Sequence, residues 1–160
     1  MTAEDYNDCV KNYADGLYRF MLKSTRQVED ARDLVQSSFE KLWEHRAEVN
    51  VLKCKSYLFT IGYHKMIDLN RKNSRLEFRE NLPDQQETRA VNPRLKDVLE
   101  KAINRLNERQ RSLVLLKDYE GYSYDEIAEI TGLNTTQVKV TLHRARLQLK
   151  EWLVSVENVL

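Results

Sequence analysis

Residues 122–150, YSYDEIAEITGLNTTQVKVTLHRARLQLK, constrain the fold more than any other stretch, because two helical patterns are cut apart by one glycine. Ser123 stands where a helix needs an N-cap and Glu126 follows three residues on, the spacing of a capping box. Ile127, Ala128 and Ile130 supply the inner side of a short helix. Gly132 ends it, since glycine takes the left-handed conformation that a helix C-terminus often requires. Asn134, Thr135 and Thr136 offer caps for a second helix. Along it Val138, Leu142, Ala145, Leu149 and Trp152 recur at steps of four and three, which puts all five on one face.

The opposite face of that second helix carries Thr136, Lys139, Val140, His143 and Arg144, flanked by Arg146 and Lys150. From Asn134 to Lys150 there are four Lys and Arg residues and no acid. An amphipathic helix usually mixes charge on its solvated side. A basic outer face without counter-charge, placed after a glycine turn, suits a major groove walled by phosphates. The spacing of cap, Ala128, Gly132 and Val138 is that of a helix-turn-helix.

The 160 residues allow one domain or two small ones. Net charge is only +1, so the total points to no partner, but its distribution does. Residues 1–50 hold 7 basic and 10 acidic side chains, net −3, whereas 51–75 hold 6 and 1, net +5. Residues 76–133 hold 9 and 12, net −3, and 134–160 hold 4 and 2, net +2. Two separate basic segments predict two contact surfaces for a polyanion. Cys9 and Cys54 are too few for a disulfide framework or a metal motif, which implies a reducing, cytoplasmic setting. No apolar run reaches the roughly 18 residues of a membrane span, and Glu4, Asp5 and Asp8 are foreign to a signal peptide.

Helical spacing runs almost throughout, punctuated by only four Gly and two Pro, with no sustained period-two alternation. Helices are expected over Tyr6 to Leu22, Val28 to Val49 and Tyr57 to Asn70, the last ending in Arg71, Lys72 and Arg75. NVLKCKS at 50–56 reads as a loop. Periodicity fails from Leu76 to Asn92 and the residues turn polar, so a linker is placed there. Helices resume around Leu95 to Leu106 and Arg111 to Tyr119, and Gly121 stops the latter. The fold class is all-α: two small helical domains joined by a polar linker.

Three stretches in this order resemble a group IV, or extracytoplasmic-function, sigma factor of bacterial RNA polymerase. VEDARDLVQSSFEKLWEH at 28–45 resembles the acidic helix of the family's first domain. KSYLFTIGYHKMIDLNRKNSR at 55–75 resembles its promoter-melting helix. LNERQRSLVLLKDYEGYSYDEIAEITGLNTTQVKVTLHRARLQL at 106–149 resembles its second-domain helix-turn-helix. The resemblance implies sigma region 2 at 1–75, a linker at 76–93 and sigma region 4 at 94–160. It also implies a subunit without catalysis of its own that binds core polymerase, selects promoters and helps open the duplex.

Carried onto these residues, the resemblance assigns the distal, minus-thirty-five box to Thr135, Thr136, Lys139, Val140, His143 and Arg144. Lys139 and His143 can donate to guanine acceptors and Val140 can pack on a thymine methyl, while Thr136 and Arg144 touch phosphate. The proximal, minus-ten box falls to Lys53, Lys55, Ser56, Tyr57, His64, Lys65, Arg71 and Lys72. Bases in a single strand need aromatic or polar pockets and a basic track, which these supply, with Phe59 and Tyr63 as further aromatics; core packing is the alternative for each aromatic and the favoured reading for Phe59. Asp30, Asp33, Leu34, Gln36, Phe39 and Trp43 match the family's surface for the clamp helices of the largest polymerase subunit, and region 4 its surface for the flap. The family also implies an anti-sigma protein, often membrane-bound, and the expectation here is that it wedges between the domains and covers the apolar and acidic surface around Phe39. No cofactor, metal or small-molecule substrate is expected, since His45, His64 and His143 lie apart and no metal-ligand or phosphate-loop motif occurs. The competing reading is a LuxR-like regulator that binds operator DNA unaided. The lack of strand and phosphoacceptor patterns before residue 90 speaks against it.

Overall fold

A computed structural model describes residues 1–80 and 95–159. Among them the chain forms seven α-helices and no strand: α1 (Ala3–Thr25), α2 (Val28–Glu44), α3 (Cys54–Glu80), α4 (Leu95–Arg105), α5 (Glu108–Val114), α6 (Tyr124–Thr131) and α7 (Thr135–Val159). A 3-10 turn at Val51–Lys53 precedes α3, and a π-helical turn at Leu115–Tyr119 extends α5.

The first domain is a three-helix unit. Thr2 and Asp5 form a reciprocal capping box that starts α1, leaving fewer backbone donors unpaired. Arg26 closes the helix in the left-handed conformation, φ 60°, and α2 begins two residues on. Leu17, Phe20 and Met21 of α1, Leu42 of α2 and Leu58 and Met66 of α3 are fully buried together. Each such side chain contributes roughly 1.5–3 kcal/mol of transfer free energy. Gly62 lets α3 approach α1 closely: a Cβ there would lie 2.5 Å from Met21 Cε and 3.0 Å from Leu17 Cδ1.

The expected loop at 50–56 is shorter than its residues suggest. Asn50 caps the 3-10 turn by accepting from the Leu52 amide at 3.0 Å, and α3 already starts at Cys54. Cys54 is buried against Cys9 of α1, and both remain free thiols. That apolar contact ties the start of α3 to α1. At its other end α3 runs through Glu80, so the expected linker at 76–93 begins inside a helix, and its remaining positions lie outside the described residues.

In the second domain Asn107 and Gln110 form a capping box at the start of α5. The helix widens after Val114, where the Glu120 amide donates to Leu115 O at 3.0 Å, a five-residue step. The expected helix to Tyr119 is therefore continuous but changes pitch. Gly121, φ 75°, then releases the chain into α6. Leu113 and Leu116, Ile127 and Ile130, and Val138 and Ala145 make a fully buried centre shared by α5, α6 and α7. The two domains touch where α1 and α3 meet the turn before α6 and α6 itself.

Candidate nucleic-acid interface

The helix-turn-helix forms as its residues require. Ser123 accepts from the Glu126 amide at 3.1 Å and its own amide donates to Glu126 Oε1 at 3.4 Å. Gly132, φ 79°, caps α6. Of the three offered caps it is Asn134 that opens α7, accepting from the Gln137 amide at 2.8 Å while Gln137 Oε1 accepts from Asn134 N at 3.0 Å. Val138, Leu142 and Ala145 are buried and turn the helix so that Thr136, Lys139, Val140, His143 and Arg144 face out, all exposed, with Thr135 half-buried at the start. Val140 is 43% exposed, unusual for valine within an otherwise polar face.

Arg146 does not share this freedom. Its guanidinium makes a forked pair with Asp118, 2.7 Å from Nη2 to Oδ1 and 3.3 Å from Nε to Oδ2. The hydrogen bond to Asp118 holds its pKa above the usual value, offsetting partial desolvation. Arg146 thus locks α7 to the π turn, and the outward positive charge rests on Lys139, Arg144 and Lys150. Lys139 Nζ lies 5.4 Å from the Tyr124 ring centroid, a contact loose enough to release the ammonium to a base edge.

The first-domain candidates divide. Lys53, His64, Arg71 and Lys72 are exposed, and Ser56, Tyr57 and Lys65 are half-buried. His64 Nδ1 lies 2.8 Å from Thr60 O. Phe59 is core, as expected of it, 2% exposed and packed in tilted contact with Phe20 and Tyr122 at 6.1 and 5.0 Å between centroids. Lys55 is not free: its ammonium sits 4.3 Å over the Tyr122 ring of the second domain. Tyr122 is 1% exposed, and burial, reinforced by Glu120 and Glu126, pushes its hydroxyl pKa far above the usual tyrosine value. Nothing in the spacing of residues 55 and 122 announces this pair. The fully buried Tyr in an otherwise polar turn is legible only in three dimensions.

On α2 the candidate polymerase surface also divides. Asp33 and Gln36 are exposed, Asp30 is half-buried and Trp43 is 38% exposed, whereas Leu34 and Phe39 are 7% exposed. Phe39 stands edge-on to Tyr6, whose hydroxyl donates to Phe39 O at 3.2 Å. Of the three apolar candidates on α2 Trp43 is the exposed one, and Tyr6 and Arg46 brace it at 4.8 and 3.8 Å. A groove between α2 and α3 brings Asp30, Asp33 and Leu34 beside Lys65, Asp68 and Lys72, so the two candidate surfaces adjoin. Among the described residues no cluster of His, Cys, Asp and Glu could hold a metal ion, and no helix is long and apolar enough to cross a membrane.

Known proteins share this arrangement. Residues 9–76 match the family model of sigma-70 region 2, and residues 96–149 match that of sigma-70 region 4. The RNA polymerase sigma factor SigV of Bacillus subtilis is 30% identical, with 86% of this chain and 84% of that one covered. YlaC, another RNA polymerase sigma factor of the same organism, is 28% identical over 92% of this chain and 91% of its own length. Among solved structures, the sigma factor RpoE of Bartonella quintana, in complex with the anti-sigma factor NepR, superposes with a TM-score of 0.78 at 26% identity, covering 94% of this chain and 98% of that one. The region 2 match accounts for the half of the molecule that a LuxR-like regulator leaves unexplained, so that alternative is not retained. With region 2 and region 4 matched in order, and with relatives that are themselves extracytoplasmic-function sigma factors, the chain belongs to the sigma-70 family of RNA polymerase sigma factors, in its extracytoplasmic-function group.

Proposed function

We propose that region 4, residues 94–160, reads the minus-thirty-five box with the helix that starts at Thr135, through Lys139, Val140 and His143, with Thr136 and Arg144 on the phosphates. The observation that carries this is the outer face of α7, where Thr136, Lys139, Val140, His143 and Arg144 are all exposed and none is acidic. Region 2, residues 1–75, engages the minus-ten strand through Lys53, Lys55, Ser56, Tyr57, His64, Lys65, Arg71 and Lys72, and residues 76–93 link the two. Asp30, Asp33, Gln36 and Trp43 meet the clamp helices of the largest polymerase subunit, with Leu34 and Phe39 supporting them from inside, and region 4 meets the flap. The chain acts in the cytoplasm as an initiation factor with no reaction of its own. An anti-sigma protein restrains it, a reading supported by the NepR complex of its structural neighbour.

The mechanism follows from charge and exposure. Core polymerase brings the catalytic centre, α7 fixes the register on duplex DNA, and α3 takes up bases as the strand separates, repaying unstacking with stacking and phosphate contacts. Transcription from a mixed pool of promoter fragments tests the residue assignment. Core polymerase with this chain is expected to select fragments sharing one distal box, and Lys139→Ala to relax selection within that box alone. Unchanged selection by Lys139→Ala and His143→Ala would remove the base-reading role from α7.

A further inference from the structure

Tyr124 is the first residue of α6, fixed in place by the Ser123 cap, and three cationic side chains from two other elements meet at its half-buried ring. Lys117 of the π turn places its ammonium 4.5 Å from the ring centroid. Lys139 of α7 stands over the same ring at 5.4 Å. Arg146 follows Lys139 by seven residues, two turns along the same side of α7. Its pKa is held up by Asp118 first and by the Tyr124 hydroxyl as well. The fork from Arg146 to Asp118 also fixes α7 against the turn that carries Lys117.

The two lysines use the ring unequally. Lys117 is half-buried and sits closer, whereas Lys139 is exposed and reaches only the outer range of the ring's attraction, which extends to about 6 Å. Lys139 is therefore directed without being captured. Its backbone is set independently, since Asn134 caps α7 and Val138 and Leu142 flank it inside the core. What the backbone leaves open is the direction of a flexible four-carbon stem. A side chain restricted beforehand loses less freedom when it reaches its ligand.

We propose that Tyr124 is a positioning residue for base reading: its ring restrains the Lys139 ammonium before DNA arrives and so sharpens discrimination at the base pair that Lys139 contacts. The proposal rests on the base-reading role of Lys139. Tyr124 acts through that side chain and not on the phosphates, so its removal affects one position of the distal box and leaves the others as they are.

The test uses bacterial core polymerase loaded with the full chain and a pool of promoter fragments randomised across the distal box, each with its own transcribed barcode. Lys139→Ala first locates the position that Lys139 reads. Tyr124→Leu is expected to lower selection at that position by on the order of threefold. Tyr124→Phe keeps the ring and should keep the selection. Replacement of Tyr124 by pentafluorophenylalanine preserves the ring's shape but removes the negative character of its face, so it should behave as Tyr124→Leu does. That comparison holds even if leucine at this position disturbs the fold. In a Lys139→Ala background none of these changes should alter selection further.

A fluorinated ring that selects as well as tyrosine, or a Tyr124→Phe loss as large as that of leucine, would overturn the cation seat. A uniform loss across the box, or one that persists in the Lys139→Ala background, would show that Tyr124 acts on DNA or on the fold directly and would overturn the positioning role. If Lys139→Ala relaxes no position, the base-reading assignment of Lys139 fails and the proposal falls with it. That result is read before any Tyr124 variant is made, so it is distinct from failure of the seat.

Discussion

The two basic helices α3 and α7 carry charge of the same sign in different states of readiness. On α7 the outward side chains are exposed, acids are absent from residue 134 to 150, and the one arginine that is fixed, Arg146, is spent on Asp118. On α3 Lys55 lies over Tyr122, and Lys65 and Lys72 share a groove with Asp30, Asp33 and Asp68. On the proposed function α7 reads a duplex and can be finished in advance, because the major groove exists before the protein arrives. On the same function α3 takes a strand that exists only once the duplex opens, and its charges lean meanwhile on the protein itself.

The difference can be broken most severely from the α7 side. Leu142 is 1% exposed beneath the reading face, so Leu142→Ala should destabilise region 4 by about 2–5 kcal/mol. Chemical denaturation followed by circular dichroism would register that loss, and a cost below about 1 kcal/mol would mean that the stripe does not hold α7 in place. A smaller effect sharpens the functional contrast within α7. Lys139→Ala should cost about 1–3 kcal/mol on the preferred duplex and far less on others. Arg144→Ala should weaken all duplexes alike and reduce the salt slope by about 0.9. Titrations across a range of salt on two sequences separate the pair, and matching, sequence-independent losses would show that Lys139 reads no base. The smallest effect concerns region 2 alone. Arg26 holds a left-handed conformation at the end of α1, and Arg26→Gly should stabilise the chain by up to about 1 kcal/mol by relieving it. A melting temperature that falls instead would mean that the Arg26 side chain contributes more than its backbone strain costs.

The helices were legible in the sequence because periodicity and caps agree. The Ser123 capping box, Gly132 at the end of α6 and the stripe Val138, Leu142, Ala145 all stand where their spacing puts them. Element ends were less so. Cys54 draws α3 back by several residues through a contact with Cys9, forty-five positions away, and no local rule contains that information. Burial pushes the Cys9 thiol up to about 12, with Cys54 adding to the shift, which makes Cys9 a filling side chain more than a reactive one. The same limit applies to the candidate sites. Local pattern identified the outward residues of α7 well, because one helix defines that face. On α2 it anticipated that Leu34 would be partly buried and the acids exposed. Which of Leu34, Phe39 and Trp43 stays outside, and that Lys55 would be held by Tyr122, depend on how helices, and then domains, pack.

The most direct measurement of the central claim is association of the purified chain with bacterial core RNA polymerase, followed by transcription from promoter fragments with and without it. A stoichiometric complex that yields new, promoter-specific transcripts is the expected result. Failure to bind core polymerase, together with unaided binding to duplex DNA, would contradict the account and return α2 and α3 to the status of surfaces without a partner.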